Sequence, residues 1–191
     1  MKTHTESFKS DNIEICLDLS FFYPNEWKTP FLFETWNWEG DETILPYKLL
    51  QLAKLSNIQS QFSSEEKFKD YLKLNYYMQS DFDKKSFYFI THRSDTAGCV
   101  YVSFSKEEKC YIIDFLIVND KKYSNKGIEE ALINLAIKRA IELDKNKNDI
   151  DNLKYITNNK YIKEIPTIKI RNDTSNIKIK ETLNKMGLLL N

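Results

Sequence analysis

Glycine and proline are scarce in this chain, with four of each among 191 residues. Their scarcity excludes collagen-like sequences and chains built mainly of flexible linkers. Long apolar runs are also missing: none approaches the roughly 18 residues of a membrane span, and residues 1–12 lack the apolar stretch of a secretory signal. We therefore expect a soluble, cytoplasmic protein that does not bind membranes.

An excess of charge of one sign is absent as well, because 28 basic residues balance 28 acidic ones. Proteins held on nucleic acid mainly by bulk charge need a surplus of Lys and Arg on one face. Arginine, the better bidentate reader of bases, occurs only at Arg93, Arg139 and Arg171. We expect no nucleic-acid partner, although the lysine-rich loops leave a local basic patch open.

Cysteine is rare, and Cys16, Cys99 and Cys110 form no Cys-x-x-Cys motif. Cys99 and Cys110 lie inside apolar runs, where a thiol usually packs as a small hydrophobic group. We expect inert core thiols and a reducing compartment. The sequence also lacks a His-Glu-x-x-His motif, paired cysteines and an aspartate-rich loop, so we expect no metal.

The chain does contain enough apolar residues, 41% of the total, to build the core of a single domain. We expect residues 1–12 to be flexible and residues 13–191 to form one domain. The N-terminal part of that domain is aromatic-rich and irregular, with one strand candidate at residues 31–38. Helical spacing follows over residues 44–58. A second helix is predicted to begin at Ser63 or Ser64, which precede the next apolar positions as capping residues.

The second half of the chain alternates strand and helix patterns. Two β-branched and aromatic runs, residues 87–91 and 97–104, flank a turn and predict an antiparallel hairpin. Residues 110–118 are almost continuously apolar, as in a central strand covered on both faces. Gly127 begins a long helical pattern, residues 144–152 predict a loop, and residues 167–171 predict a strand. A last helix over Ile179, Leu183 and Met186 is predicted to end at Gly187.

Two features of this half point to chemistry. Asp114 interrupts the apolar strand, where a carboxylate is costly to bury and where burial favours a general base; alternatively it faces a wet groove or pairs with a lysine. The turn before Gly127 leads into a helix N-terminus, whose unpaired N–H groups suit an anion such as pyrophosphate. Tyr123, Tyr101 and Tyr111 are candidate acids, although packing is the commoner role of aromatic residues in strands.

The order of hairpin, apolar strand, glycine-containing turn, long helix, strand and final helix resembles the GNAT family of acetyl-CoA-dependent N-acyltransferases. The family's Tyr-Arg-Gly-Lys-Gly-Ile sequence is similar to Tyr123-Ser124-Asn125-Lys126-Gly127-Ile128. Val118 resembles the residue that ends the preceding strand, Gly98 the hairpin glycine, and Asn176 the asparagine that begins the final helix. The resemblance covers residues 86–188; before them, only the outline of a strand and two helices matches.

This resemblance implies an α/β (α+β) fold, with a mixed, mostly antiparallel sheet flanked by helices and the aromatic-rich N-terminal extension added. In the family, the fourth strand splays from the fifth and pairs with the pantetheine arm, and the following turn cradles the pyrophosphate. The implied function is transfer of an acetyl or other acyl group from acyl-CoA to a primary amine, with acetyl-CoA as co-substrate and Asp114 and Tyr123 as catalytic residues. The residues implied at the cofactor are Leu116, Ile117, Val118, Ser124, Asn125, Lys126, Gly127, Ile128 and Asn176.

Three positions depart from the family pattern. Ser124 stands where Arg or Gln is usual, Glu129 where the second Gly is usual, and Leu183 where a general-acid tyrosine is frequent. These differences favour an alternative function, a GNAT-fold protein that has lost catalysis and acts as a binding or regulatory module.

The acceptor in the first interpretation is a small-molecule or peptide amine, whose identity the sequence leaves open. Aromatic residues of the N-terminal part either shape its pocket or pack in the core: Trp27, Trp36, Trp38 and Tyr47. The same aromatic segment is a candidate homodimer interface.

Overall fold

The structure is a computed structural model that describes residues 13–16, 33–37, 52, 63–74, 78–93, 95–154, 167–170 and 176–188. Six strands and four α-helices lie within these ranges. The strands are β1 (Ile13–Cys16), β2 (Phe33–Asn37), β3 (Phe87–His92), β4 (Asp95–Ser105), β5 (Cys110–Val118) and β6 (Thr167–Ile170). The helices are α1 (Glu65–Leu72), α2 (Asp120–Tyr123), α3 (Ile128–Lys154) and α4 (Asn176–Lys185).

One sheet contains all six described strands, in the order β1-β6-β5-β4-β3-β2. The β5–β6 pair is parallel and the four other pairs are antiparallel. Parallel strands need a long crossover, and α3 lies in the connection between β5 and β6. The predicted fold class, a mixed and mostly antiparallel sheet flanked by helices, is confirmed.

The N-terminal extension contributes a strand that the sequence pattern did not predict. β1 pairs antiparallel with β6 at one edge of the sheet, with Ile15 opposite Ile168. Its four residues alternate apolar and polar side chains too briefly to stand out from the irregular text around them. β2 lies within the strand predicted at residues 31–38 and pairs with β3 at the other edge.

The β3–β4 hairpin and the central strand β5 form as predicted, and their side chains alternate between two faces. On one face, Phe87 stacks on Phe89 and on Tyr101 with ring centroids 5.2 Å apart. On the other face, the strands pack with α3 and α4 in one core, which includes Ile90, Val100, Ile113, Leu132, Ile168 and Leu183. Burial on both faces accounts for the nearly continuous apolar sequence of β5.

Helix α3 is longer than the sequence predicted. The prediction of a loop at residues 144–152 is wrong, because the helix continues through them and ends at Lys154. No glycine or proline interrupts the range 128–154. A helix that has nucleated gains a hydrogen bond with each added residue, so the end of the apolar stripe does not end the helix.

Gly98 allows the beginning of α3 to approach the sheet closely. A β-carbon at this position would lie 2.8 Å from the Ile117 carbonyl oxygen and 2.9 Å from Leu132 Cδ1. It would also lie 3.0 Å from Ile128 Cγ2. The absence of a side chain here therefore sets the distance between β4, β5 and the first turns of α3.

Arg139 holds the middle of α3 to the segment before β3. Its guanidinium donates to Ser86 Oγ at 3.0 Å and to Asp83 Oδ2 at 2.8 Å. Burial alone would raise the pKa of Asp83, but hydrogen bonds from Ser86 and Arg139 offset it and leave that pKa below its usual value. The carboxylate and guanidinium are therefore both charged at neutral pH.

Two predicted helix boundaries are confirmed. Ser64 Oγ accepts a hydrogen bond from the Lys67 N–H at 3.2 Å and caps α1. Gly187, with φ +71°, follows α4 and ends it. The residues predicted to be flexible, 1–12, lie outside the described residues, as does the predicted helix at 44–58 apart from Leu52, which is buried.

Candidate active site

In the described part of the chain, β6 pairs with only the first part of strand β5. The parallel register runs from Tyr111 opposite Ile168 to Ile113 opposite Ile170, where β6 ends. β5 itself continues to Val118. Among the residues that the structure describes, 114–118 therefore have no strand partner on that side. Such an edge offers backbone N–H and C=O groups to an extended ligand.

A β-bulge between β4 and β5 lies just beyond the last described pair of β5 and β6. Cys99 is opposite Ile117 and Tyr101 is opposite Asp114, so Val100 alone faces the two β5 residues between them. A bulge of this kind bends the strand, increases its twist and leaves one residue outside the hydrogen-bond ladder. The irregular backbone and the open edge therefore occur at the same place in β5.

The turn after β5 positions the N-terminus of α3. After α2, Asn125 (φ 58°) and Gly127 (φ 72°) adopt the left-handed backbone conformation, which glycine tolerates without strain. The Gly127 carbonyl accepts from the Ala131 N–H at 3.0 Å, so the helix begins directly after Gly127. The first N–H groups of a helix have no intrahelical acceptor, and with the helix dipole they favour an anion.

An ion pair to the β3–β4 hairpin holds this turn in place. Lys122 Nζ pairs with Asp95 Oδ2, and the Tyr123 hydroxyl donates to the same oxygen at 3.3 Å. The Tyr123 ring also lies edge-on to the His92 ring, with 6.1 Å between centroids. Two turns that are separate in sequence are thereby fixed relative to each other.

These contacts alter the proton affinity of the groups that make them. Burial, followed by the charge of Asp95, raises the pKa of Tyr123. The hydrogen bond and charge of Lys122 lower the pKa of Asp95. The structure thus places the hydroxyl of Tyr123, which the sequence predicts as catalytic, on the hairpin carboxylate, with its proton held more firmly than in free tyrosine.

The predicted cofactor residues of β5, the turn and α3 lie in one continuous region. Those in the strand and at the helix start are buried, and those in the turn are exposed apart from a half-buried glycine. The buried residues are Leu116, Ile117, Val118 and Ile128, and the turn residues are Ser124, Asn125, Lys126 and Gly127.

For the two other predicted site residues, the structure describes only the backbone. Asp114 lies in β5 opposite Tyr101, and Asn176 is the first residue of α4; their side chains lie outside the described part of the structure. α4 joins the region through Ile179, which packs in the same core as Val118.

The family departures at Glu129 and Leu183 have different surroundings. Leu183 is 0% exposed and belongs to the core, so this position contributes an apolar contact and no proton donor. Glu129 is buried in the first turn of α3. A carboxylate there interacts favourably with the helix dipole and repels a neighbouring phosphate.

Sequence reasoning missed three residues of this region, Asp95, Lys122 and Asn119. Asp95 and Lys122 are 27 positions apart, and each is a charged residue in a turn, a pattern that solvent exposure alone explains. Asn119 is an asparagine in a polar turn, where exposure to solvent is usual, yet it is buried. No pattern in the sequence connects these side chains to the start of α3.

Within the described ranges, no group of three or more His, Cys, Asp or Glu side chains could hold a metal ion. No helix in those ranges is long and apolar enough to cross a membrane. Cys99 and Cys110 are buried free thiols, as predicted, and burial raises the pKa of Cys99.

Comparison with known proteins finds similar structures but no matching family. No family model matches the chain, and no curated protein does. PH1933 from Pyrococcus horikoshii OT3 is similar at 16% sequence identity and a TM-score of 0.46, over 74% of this chain and 99% of that one. N-acetylglutamate synthase from Neisseria gonorrhoeae, crystallised with coenzyme A and N-acetyl-glutamate, is similar at 13% identity and a TM-score of 0.39, over 82% of this chain and 33% of that one. An acetyltransferase from Streptococcus agalactiae 2603 is similar at 12% identity and a TM-score of 0.36, over 72% of this chain and 95% of that one.

Proposed function

We propose that this chain is an N-acyltransferase that transfers an acetyl or other acyl group from acyl-CoA to a primary amine. The observation that carries the proposal is that, among the described residues, β6 pairs with β5 only as far as Ile113, while β5 continues to Val118 and the turn that begins α3. A ligand lying along this path meets first an open strand edge and then a helix N-terminus. Acyl-CoA has the matching parts in that order, an amide-containing arm and then a pyrophosphate.

Each part of the ligand has a complement in the chain. The amides of the pantetheine arm would pair with the backbone of residues 114–118, as an added strand does. The pyrophosphate would bind the N–H groups after Gly127, because the first N–H groups of a helix have no acceptor within the helix and the helix dipole favours negative charge there. Lys126, exposed in the turn, adds a positive charge nearby. Asn176, the first residue of α4, would also contact the arm, as the family resemblance implies.

The reaction requires a neutral amine beside a polarised thioester carbonyl. Asp114 would take a proton from the acceptor ammonium, directly or through water, and the nitrogen would attack the carbonyl carbon. A backbone N–H near Leu116, at the bulge, would hydrogen-bond the developing oxyanion. The nitrogen of the tetrahedral intermediate then loses its second proton to water, and the C–S bond breaks to leave the amide. The CoA thiolate takes a proton from solvent, because Leu183 has none to give.

The second candidate function is a binding or regulatory protein without catalysis. Two observations favour it: the buried carboxylate of Glu129 beside the anion site, and the apolar side chain of Leu183 in the core. A protein of this class would release no free thiol from acyl-CoA in the presence of amines, whether or not it binds CoA.

The first test is titration of the purified chain with CoA and acetyl-CoA by calorimetry and thermal shift. A ligand at 100 times its Kd stabilises the fold by about 2.7 kcal/mol. Gly127→Asp should weaken binding at least tenfold, about 1.4 kcal/mol, because a carboxylate would face the pyrophosphate. Gly187→Asp is the matched control, since Gly187 has a φ of 71° and the substitution adds the same strain and charge at the end of α4.

The results distinguish the two candidate functions. No binding at millimolar CoA would overturn the acyltransferase proposal. Binding together with thiol release toward a panel of primary amines, lost in Asp114→Asn, is the expected result. Binding with no release for any amine would favour the binding module.

A further inference from the structure

Asn119 is the first residue after β5, and its buried side-chain oxygen, Oδ1, has no hydrogen-bond partner among the described residues. The residue is 5% exposed. Buried carboxamide oxygens are nearly always bonded, and leaving one unbonded destabilises the fold. An apolar residue of similar size at this position would avoid that cost, so the carboxamide calls for an explanation.

The local backbone does not use the side chain. The Asn119 N–H donates to the Ala97 carbonyl at 2.8 Å, and the Asn119 carbonyl accepts from Lys122 and Tyr123 at 3.2 and 2.9 Å. Asparagine before a helix commonly caps it through its side chain, but here the side chain makes no capping bond to α2. The main chain therefore fixes the residue on both sides, while Oδ1 contributes no hydrogen bond to the described turn.

The position of Asn119 relates it to the proposed acyl-CoA site. It directly follows residues 114–118, the part of β5 that has no β6 partner in the described structure. It also precedes the turn that leads to Gly127 and α3, which Asp95 holds through Lys122 and Tyr123. In chain order, Asn119 thus lies between the part of β5 that has no described β6 partner and the N-terminus of α3.

We infer that the Asn119 carboxamide is a ligand-binding group whose Oδ1 accepts a hydrogen bond from an N–H or O–H of the pantetheine arm of acyl-CoA. This inference rests on the proposed function and adds a side-chain contact to the backbone contacts described above. The bound ligand would supply the partner that Oδ1 lacks among the described residues. The carboxamide is retained for binding at the expense of stability in the free protein, as is common for functional polar groups.

The chain provides a matched control in Asn134. This residue of α3 is 7% exposed, and its Oδ1 likewise has no hydrogen-bond partner in the described ranges. It lies within the helix and follows neither the open edge nor the turn. Comparison of the two positions separates the loss of a buried carboxamide in general from the loss of this one.

The test compares Asn119→Leu, Asn119→Ala and Asn134→Leu by urea unfolding and by calorimetric titration with CoA. The alanine variant adds no bulk, so it covers the case in which leucine does not fit. We expect the free Asn119 variants to unfold at urea concentrations equal to or above that of wild type, and to bind CoA at least tenfold more weakly. Asn134→Leu should bind CoA as wild type does.

A truncated ligand locates the contact. The adenosine bisphosphate fragment of CoA lacks the pantetheine arm, so its affinity should be unchanged in the Asn119 variants. Equal weakening for the fragment and for CoA, or unchanged CoA affinity in both Asn119 variants, would overturn the inference while leaving the proposed function standing. Equal weakening in Asn134→Leu would also overturn it. If wild type binds no CoA, the proposed function fails and this inference fails with it.

Discussion

Tyr111 illustrates how one buried side chain makes the stability of this fold depend on pH. Its ring lies in the core against Phe104, with centroids 5.1 Å apart, and its hydroxyl is 3.4 Å from Asp144 Oδ1. Burial, followed by the carboxylate of Asp144, raises the pKa of Tyr111 above its ordinary value. The folded chain therefore holds this proton more firmly than the unfolded chain does.

The sign of the effect predicts a loss of stability at alkaline pH. Because folding raises the pKa of Tyr111, its protonated hydroxyl contributes fully to the free energy of unfolding below the unfolded pKa of about 10. That contribution is lost as the pH rises above this value. Tyr111→Phe should lose at most about 1 kcal/mol at neutral pH, since it removes one long hydrogen bond. The free energy of unfolding of the variant should fall less steeply than that of wild type between about pH 9 and pH 11. Urea unfolding across that range would measure it, and parallel curves for the two proteins would contradict the prediction.

The residues of the candidate site differ in how far the sequence could predict them. Gly127 is predictable because a glycine between a strand and a helix pattern indicates a left-handed turn position. The contact between Asp95 and Lys122 is not, since nothing in either turn specifies which of many exposed charges will meet. Asn119 is likewise hidden, because burial of a polar residue depends on tertiary packing rather than on local pattern.

At the scale of elements, the predictions succeeded where the periodic pattern and its end signals agreed. The hairpin, β5 and α4 each have an apolar pattern bounded by turn or capping residues. The prediction of α3 failed at the C-terminal end of the helix, because the last two turns have neither an apolar stripe nor a residue that signals the end of a helix. β1 was missed because its pairing partner, β6, is more than 150 residues away in the chain, and such pairing leaves no local trace.

The distance between α3 and the sheet depends on Gly98, so a larger residue at this position should destabilise the packing of α3 on the sheet. Gly98→Ala should cost about 1–3 kcal/mol of unfolding free energy, in the range of overpacked cores. The upper part of that range is expected, because the nearest atom to the new methyl group would be the Ile117 carbonyl oxygen, which is backbone and cannot rotate away. Urea unfolding would measure the loss.

Gly187→Ala serves as the comparison for that measurement. A β-carbon at Gly187 meets nothing within 4 Å, so the substitution carries only the strain of a positive φ, on the order of 1 kcal/mol. A Gly98→Ala protein as stable as wild type would show that α3 does not lie as close to β4 as the structure has it.

At the scale of the whole molecule, the two ends of the described chain meet at one wall of the candidate site. β1 comes from the N-terminal extension and pairs with β6, which lies between β1 and β5. β6 is short, and its residues Ile168 and Ile170 are fully buried. We therefore expect the position of β6 beside β5 to depend on a strand contributed from the N-terminal part of the sequence.

Proline substitutions in β1 test this dependence. Neighbouring residues of an antiparallel strand direct their N–H groups to opposite sides, so either Glu14→Pro or Ile15→Pro must remove a donor to β6, while the other removes an outward N–H. We expect one of the two to lose about 2 kcal/mol more stability than the other, within the usual range for a broken strand contact. Hydrogen exchange of the β6 amides should accelerate in the same variant, while the β3–β4 amides keep their protection. Ile15→Thr, which keeps the backbone donor and a β-branched side chain, should leave the exchange of β6 close to that of wild type. Equal and small effects of both prolines would mean that β6 is held by β5 alone, and the N-terminal strand would then have no part in shaping the site.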